Sequence, residues 1–235
     1  MTLLGLFLAM IGTADLIRYG AADSDLVRRC WATLASAAVA ILGFWGLGRP
    51  AHDLWLPVLG VALVAAWVFA DRLPVRQGDR LSLGLLAATV LALLGFGQHL
   101  SPDHGWLQSW YSGLEIDGLR DVPFDHFALA VGCFLILQNT ANLIVRLVLN
   151  GAGPGVLASA KTLKGGRILG PLERSFIFAM ALSGQFTAVG AVIAAKGILR
   201  FPEISRANDD GDMAEYVLVG SFVSWVLALL FIPLF

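Results

Sequence analysis

Charged residues are scarce in this chain. Asp, Glu, Lys and Arg make up 14% of the 235 residues, where a soluble globular domain carries roughly 25%. With 57% hydrophobic residues and a mean hydropathy of +0.76, too little polar surface is left to cover a water-soluble fold. No long Lys/Arg run exists and the net charge is -1, which excludes a nucleic-acid footprint. Cysteine is almost absent. Cys30 and Cys133 lie near or inside apolar stretches without CxxC spacing, so both read as buried thiols and no structural disulfide is expected. Basic residues are also missing ahead of the apolar N-terminus, and Thr13-Ala14-Asp15 makes a poor signal-peptidase site. Residues 1–17 therefore read as a retained first helix. No P-loop, Rossmann glycine pattern or Ser-His-Asp signature is present. Neither a catalytic residue nor a cofactor is expected.

What is there is apolar sequence in long runs. Stretches at 1–17, 30–48, 54–70, 81–97, 127–149, 172–198 and 216–235 are each near the length of a spanning helix, about 20 residues. Lipid offers the backbone no hydrogen-bond partner, so each is expected to be helical, and the runs lack the period-two alternation of a barrel. The expected fold is all-α, a polytopic transmembrane bundle of about seven spans. It divides into a membrane half at 1–97, an outer connection at 98–126 and a second membrane half at 127–235. Eleven Lys and Arg fall on one side of this map and five on the other, Arg49, Arg120, Lys196, Arg200 and Arg206. The basic side should be cytoplasmic, which places the N-terminus outside and the C-terminus inside. A re-entrant span would invert the C-terminal half. Trp31, Trp45, Trp55 and Trp67 fall near span ends, the headgroup level, while Trp225 falls inside the last span. In the outer connection Trp106, Leu107, Trp110, Tyr111 and Leu114 recur at helical spacing, as in a short helix lying on the membrane surface. His99, Asp103, His104, Asp117, Asp121, Asp125 and His126 are metal-ligand types there, but their spacing fits no zinc pattern and no metal is expected.

The polar residues inside the apolar stretches carry the functional expectation. Over 172–198, read as one helix, Ala181, Gly184, Ala188, Ala191 and Ala195 form a small-residue seam suited to close helix packing. Arg174, Gln185 and Lys196 are spaced by eleven, close to three turns, and would share a face. Gln185 falls near the bilayer centre, where a polar side chain must face protein or water. Gln138, Asn139 and Asn142 interrupt the preceding span, which suggests that the two helices meet through amides. Asp15 and Arg18 read as an ion pair at a helix end.

One segment resembles a known family. Its residues are Gly166, Arg167, Gly170, Leu172, Glu173 and Arg174, then Gly184-Gln185, then Ala194, Ala195, Lys196, Arg200 and Phe201, and finally Ala214, Glu215 and Tyr216. About residues 165–232 resemble the C-terminal part of a bacterial multi-pass inner-membrane family, a domain of unknown function. The resemblance implies a location in the bacterial cytoplasmic membrane and no activity. It adds Glu173 and Glu215 as counter-charges, with Lys196 and Glu215 expected on one membrane side. Microbial rhodopsins share the topology only, because a retinal Schiff base needs a Lys in the last span and 216–235 has none. The best functional expectation is a small transporter or channel for an ion or small solute through the polar C-terminal bundle. The alternative is a scaffold or accessory subunit of a larger complex. The expected partners are the lipid bilayer and, through the small-residue seam, a second copy or another membrane protein. A lipid-handling enzyme has only the Asp/His set of the outer connection to support it.

Overall fold

The structure, a computed structural model, describes residues 1–18, 26–49, 51–70, 75–97, 105–152, 166–206 and 211–235. Among the described residues there are ten α-helices and no strand. They are α1 (Thr2–Arg18), α2 (Leu26–Gly46), α3 (Trp55–Phe69), α4 (Val75–Phe96), α5 (Trp106–Ser112), α6 (Phe124–Gln138), α7 (Thr140–Ala152), α8 (Gly166–Leu182), α9 (Phe186–Arg206) and α10 (Gly211–Leu229). Among the described residues two segments are long and apolar enough to cross a membrane, Leu26–Gly46 and Val217–Leu234. A third joins them if the bent pair Phe124–Gln138 and Thr140–Leu149 is one span. Shorter apolar helices lie at Trp55–Phe69, Leu81–Phe96 and Phe186–Leu199. The chain divides into two compact units, Met1–Ile136 and Leu137–Phe235.

In the first unit α1 is the central helix. Leu4, Leu8, Ile11 and Ala14 are all but inaccessible, and α1 packs on α2, α3 and α4. Close approach comes from glycine. A Cβ on Gly5 would run into the backbone carbonyl of Ala128, and one on Gly132 would meet the Gly5 carbonyl. A Cβ on Gly12 would lie 2.7 Å from Leu135. Helix α2 shows how the outside is built. Its buried face is mostly small, with Ala32, Ser36, Ala40, Gly43 and Gly46 beside Arg29 and Phe44, while Trp31, Leu34, Ile41, Leu42 and Trp45 are exposed. Large apolar groups outside and small ones inside reverse the pattern of a soluble helix and suit helices packed in lipid. Cys133 is buried as expected, but Cys30 is exposed.

Short α5 is clamped to the end of α2. Leu107 lies where a Cβ on Gly46 would be, and Gly105 sits against the Gly46 carbonyl and Leu47. Tyr111 is the buried side of α5. It stacks at 4.8 Å on Phe127, and its hydroxyl donates to the Val122 carbonyl at 2.9 Å. Burial pushes the Tyr111 phenol above its ordinary pKa, which keeps it a donor.

In the second unit α10 packs on α7, α8 and α9, and α8 on α7 and α9. The single helix expected over 172–198 does not form. Gly184 takes φ 72°, the Gln185 N–H donates to the Met180 carbonyl at 2.8 Å, and the Gly184 N–H donates to the Ala181 carbonyl at 3.0 Å. These two bonds with a left-handed glycine are a Schellman C-terminal motif. A new helix starts at Phe186, and α8 and α9 become a helical hairpin. The expectation of one face for Arg174, Gln185 and Lys196 is corrected by this break. The seam is corrected too: Ala181 is buried in α8, Gly184 makes the turn, Ala188 is half-buried, and Ala191 and Ala195 are exposed on α9.

Candidate functional site: a buried arginine and an ion pair across a helical hairpin

Two helix ends build the polar centre of the second unit. The stretch read as the fifth span is interrupted at Asn139, which leaves the last carbonyls of α6 without intrahelical donors. Arg174 of α8, only 2% exposed, fills that place. Its Nε donates to the Leu137 carbonyl at 2.8 Å and its Nη2 to the Gln138 carbonyl at 3.2 Å. Nη2 also donates to Asn142 Oδ1 at 2.7 Å, and Nη1 donates to Ser224 Oγ of α10 at 3.2 Å. A rigid guanidinium fork suits several acceptors at once, and positive charge is favoured at a helix C-terminus. Gly170, one turn earlier, makes room, because a Cβ there would come within 3.3 Å of Nη1. Gln138 joins in, donating from Nε2 to Ser175 Oγ at 2.9 Å.

Beside this centre the hairpin is tied by charge. Lys196 Nζ of α9 lies 2.6 Å from Glu173 Oε2 of α8, with side chains 13% and 9% exposed. The Trp225 indole donates to the other Glu173 oxygen at 2.8 Å, and the ammonium sits 5.4 Å from the Trp225 ring centroid. Partial burial makes such a pair stronger than a surface one, provided the remaining polar atoms are also bonded. A groove of about 400 Å³ opens next to it between α9 and α10, walled by Val217, Leu218, Phe222 and Val223.

Of the polar residues singled out in the sequence, Gln138, Asn142, Glu173, Arg174 and Lys196 thus come together. Gln185 does not, because it stands exposed at the hairpin tip. Asn139 marks the break between α6 and α7 and is half-buried. The Glu215 side chain lies outside the described residues, as do His99, Asp103 and His104. Among the described residues no group of three metal-ligating side chains forms.

A second charged centre contains the Asp15–Arg18 pair read from the sequence, with Trp67 and Arg29 as members the sequence did not point to. Asp15 is 3% exposed and accepts from Arg18 Nε at 2.8 Å and from the Trp67 indole at 3.2 Å. Arg18 also donates to the Val68 carbonyl at 3.2 Å, and buried Arg29 of α2 donates to the same carbonyl. Val68 lies in the last turn of α3, so two guanidiniums cap another helix end. The Asp15–Arg18 pair is therefore more than a local one, since it ties α1 to α3. Trp67 is a buried donor at 2% exposure, so its indole faces protein and not lipid. The available signal was an Arg beside the small buried stripe of α2.

Comparison of the chain with protein-family models, with curated proteins and with solved structures finds no match.

Proposed function

We propose that the chain is a multi-pass membrane protein, of the bacterial cytoplasmic membrane as the family resemblance implies, whose second unit passes an ion or small solute along the α8–α9 hairpin. The observation that supports this reading is the charged set Glu173, Arg174 and Lys196, which meets Ser224 and Trp225 half-way along the apolar segment Val217–Leu234. Ionisable groups at that depth mark a polar path by default. The apolar legs 176–182 and 186–195 are about 10 and 15 Å long at 1.5 Å per residue. A hydrocarbon core is about 30 Å thick. From the mid-depth of Glu173 and Lys196 the legs carry the Gly184 turn to one membrane face, so the hairpin crosses and returns. Gln185 and Thr187 are exposed at the tip, where water at the membrane face satisfies them, and the Ser183 hydroxyl donates to the Ala179 carbonyl at 2.9 Å.

A returning hairpin also changes the sidedness. Arg200 and Arg206 move to the basic side, so only Arg49 and Arg120 lie opposite. This removes the one loop that disagreed with the positive-inside rule. In this reading residues 1–17, 30–48, 54–70, 81–97 and 127–149 also cross, which goes beyond the two or three spans that length and composition support among the described residues. α10 then runs outward, and the cytoplasmic C-terminus expected from a continuous sixth span is replaced by an outer one.

Purified protein in liposomes tests the transport reading. Potassium, sodium, proton and chloride fluxes and uptake of small neutral solutes are measured for the native chain and for Lys196→Met. At least one flux is expected, reduced tenfold or more by the substitution. No flux from folded protein would overturn the transport reading. The scaffold reading is favoured by the completeness of the Arg174 bonding, which suits a locked rather than a moving bundle. It expects a stable oligomer or a co-purifying membrane chain instead.

A further inference from the structure

Four exposed indoles gather at one end of the first unit. Trp45 stands in the last turn of α2 and is 71% exposed. Trp55 begins α3, after only a short 3-10 turn at Ala51–Asp53, and Trp106 and Trp110 are one turn apart on α5. All three are exposed by about half. The Gly46–Leu107 and Gly105–Gly46 contacts hold α5 at the level where α2 ends. That level can be read from length. α2 has 21 residues, about 31 Å, and matches the hydrocarbon core. A helix clamped to its end stands at the headgroup layer, where amphipathic indoles are enriched.

A further side chain at this level points to a ligand. Arg49 has a side chain only 5% exposed, and its Nη1 bonds Asp53 at 2.9 Å. Its Nε and Nη2 are buried without a hydrogen-bond partner. Buried donors of this kind are normally satisfied, and the Nε/Nη2 edge of a guanidinium matches two oxygens of a phosphate.

We propose that this end of the first unit is a phospholipid-binding anchor. α5 lies in the plane of the headgroup layer with Trp106 and Trp110 toward lipid, and Arg49 takes a lipid phosphate beside Trp45 and Trp55. The inference rests on the membrane placement and is independent of transport.

Nitroxide labels test the seating. They are placed singly at Trp110→Cys and Ser112→Cys in protein carrying Cys30→Ala, reconstituted in phosphatidylglycerol and phosphatidylcholine vesicles. Relaxation by oxygen and by a water-soluble nickel chelate reads depth. The label at 110 is expected at headgroup depth and the label at 112 in water. Two aqueous labels, or a label at 110 shielded from both reagents, would overturn the seating. The Arg49 arm is thermal unfolding in detergent with and without added phosphatidylglycerol, with inorganic phosphate as control. Lipid is expected to raise the Tm of the native chain and not that of Arg49→Gln. An equal rise in both, or an equal rise with inorganic phosphate, overturns the lipid site at Arg49.

Discussion

At the scale of single residues, two buried charged centres hold helix ends that the backbone leaves open. Arg174 bonds four acceptors from α6, α7 and α10. Lysine offers a point charge without the fork, so Arg174→Lys is expected to lose at least two charge-assisted bonds and about 3 kcal/mol of stability. Thermal unfolding in detergent measures this, and a neutral result would remove Arg174 from its structural role. Asp15 is the counterpart in the first unit. Asp15→Asn leaves part-buried Arg18 without its carboxylate and is expected to cost about 3 kcal/mol, as for breaking a buried pair from one side. The residue types were legible before the fold was known, since Gln138, Asn142, Glu173, Arg174 and Lys196 stand out in apolar sequence. Their partners were not, because backbone carbonyls such as Leu137 and Val68 carry no mark in a sequence and accept only where a helix happens to end.

At the scale of elements, glycine makes two different things. Gly184 is a stop signal, whereas Gly5 and Gly132 let two backbones touch. Nothing stands within 4 Å of a Cβ at Gly184, so Gly184→Ala meets only the left-handed backbone and is expected to cost about 1 kcal/mol. Gly5→Ala meets the backbone of α6, must push two helices apart and is expected to cost about 3 kcal/mol. Unfolding of the two variants side by side checks the order, and the reverse order would contradict the packing of α1. The hairpin tie predicts coupling as well. A double-mutant cycle of Glu173→Gln and Lys196→Met is expected to show more than about 1 kcal/mol, and additivity would show the pair to be incidental. Ser-Gly-Gln in mid-stretch was the available sign of a helix end, but uninterrupted hydropathy over 172–198 concealed it, because a Schellman turn needs no polar run.

At the scale of the whole molecule, one turn decides parity. A continuous sixth span and a hairpin have the same composition, yet they send α10 in opposite directions through a bilayer. Membrane-impermeant thiol labelling of Ser112→Cys and Phe235→Cys in intact cells, with Cys30→Ala, is expected to modify both. Modification at 112 alone would restore the continuous span and the cytoplasmic C-terminus.

The sequence by itself determined that this chain is helical, that its apolar helices suit lipid, and which few side chains would be expensive to bury alone. Those properties follow from composition and from run length, which are local. Where the apolar stretches break, which carbonyls the arginines cap and that Lys196 meets Glu173 rather than continuing away from it were decided only by the tertiary structure. A single left-handed glycine reverses the chain, and hydropathy does not register backbone direction.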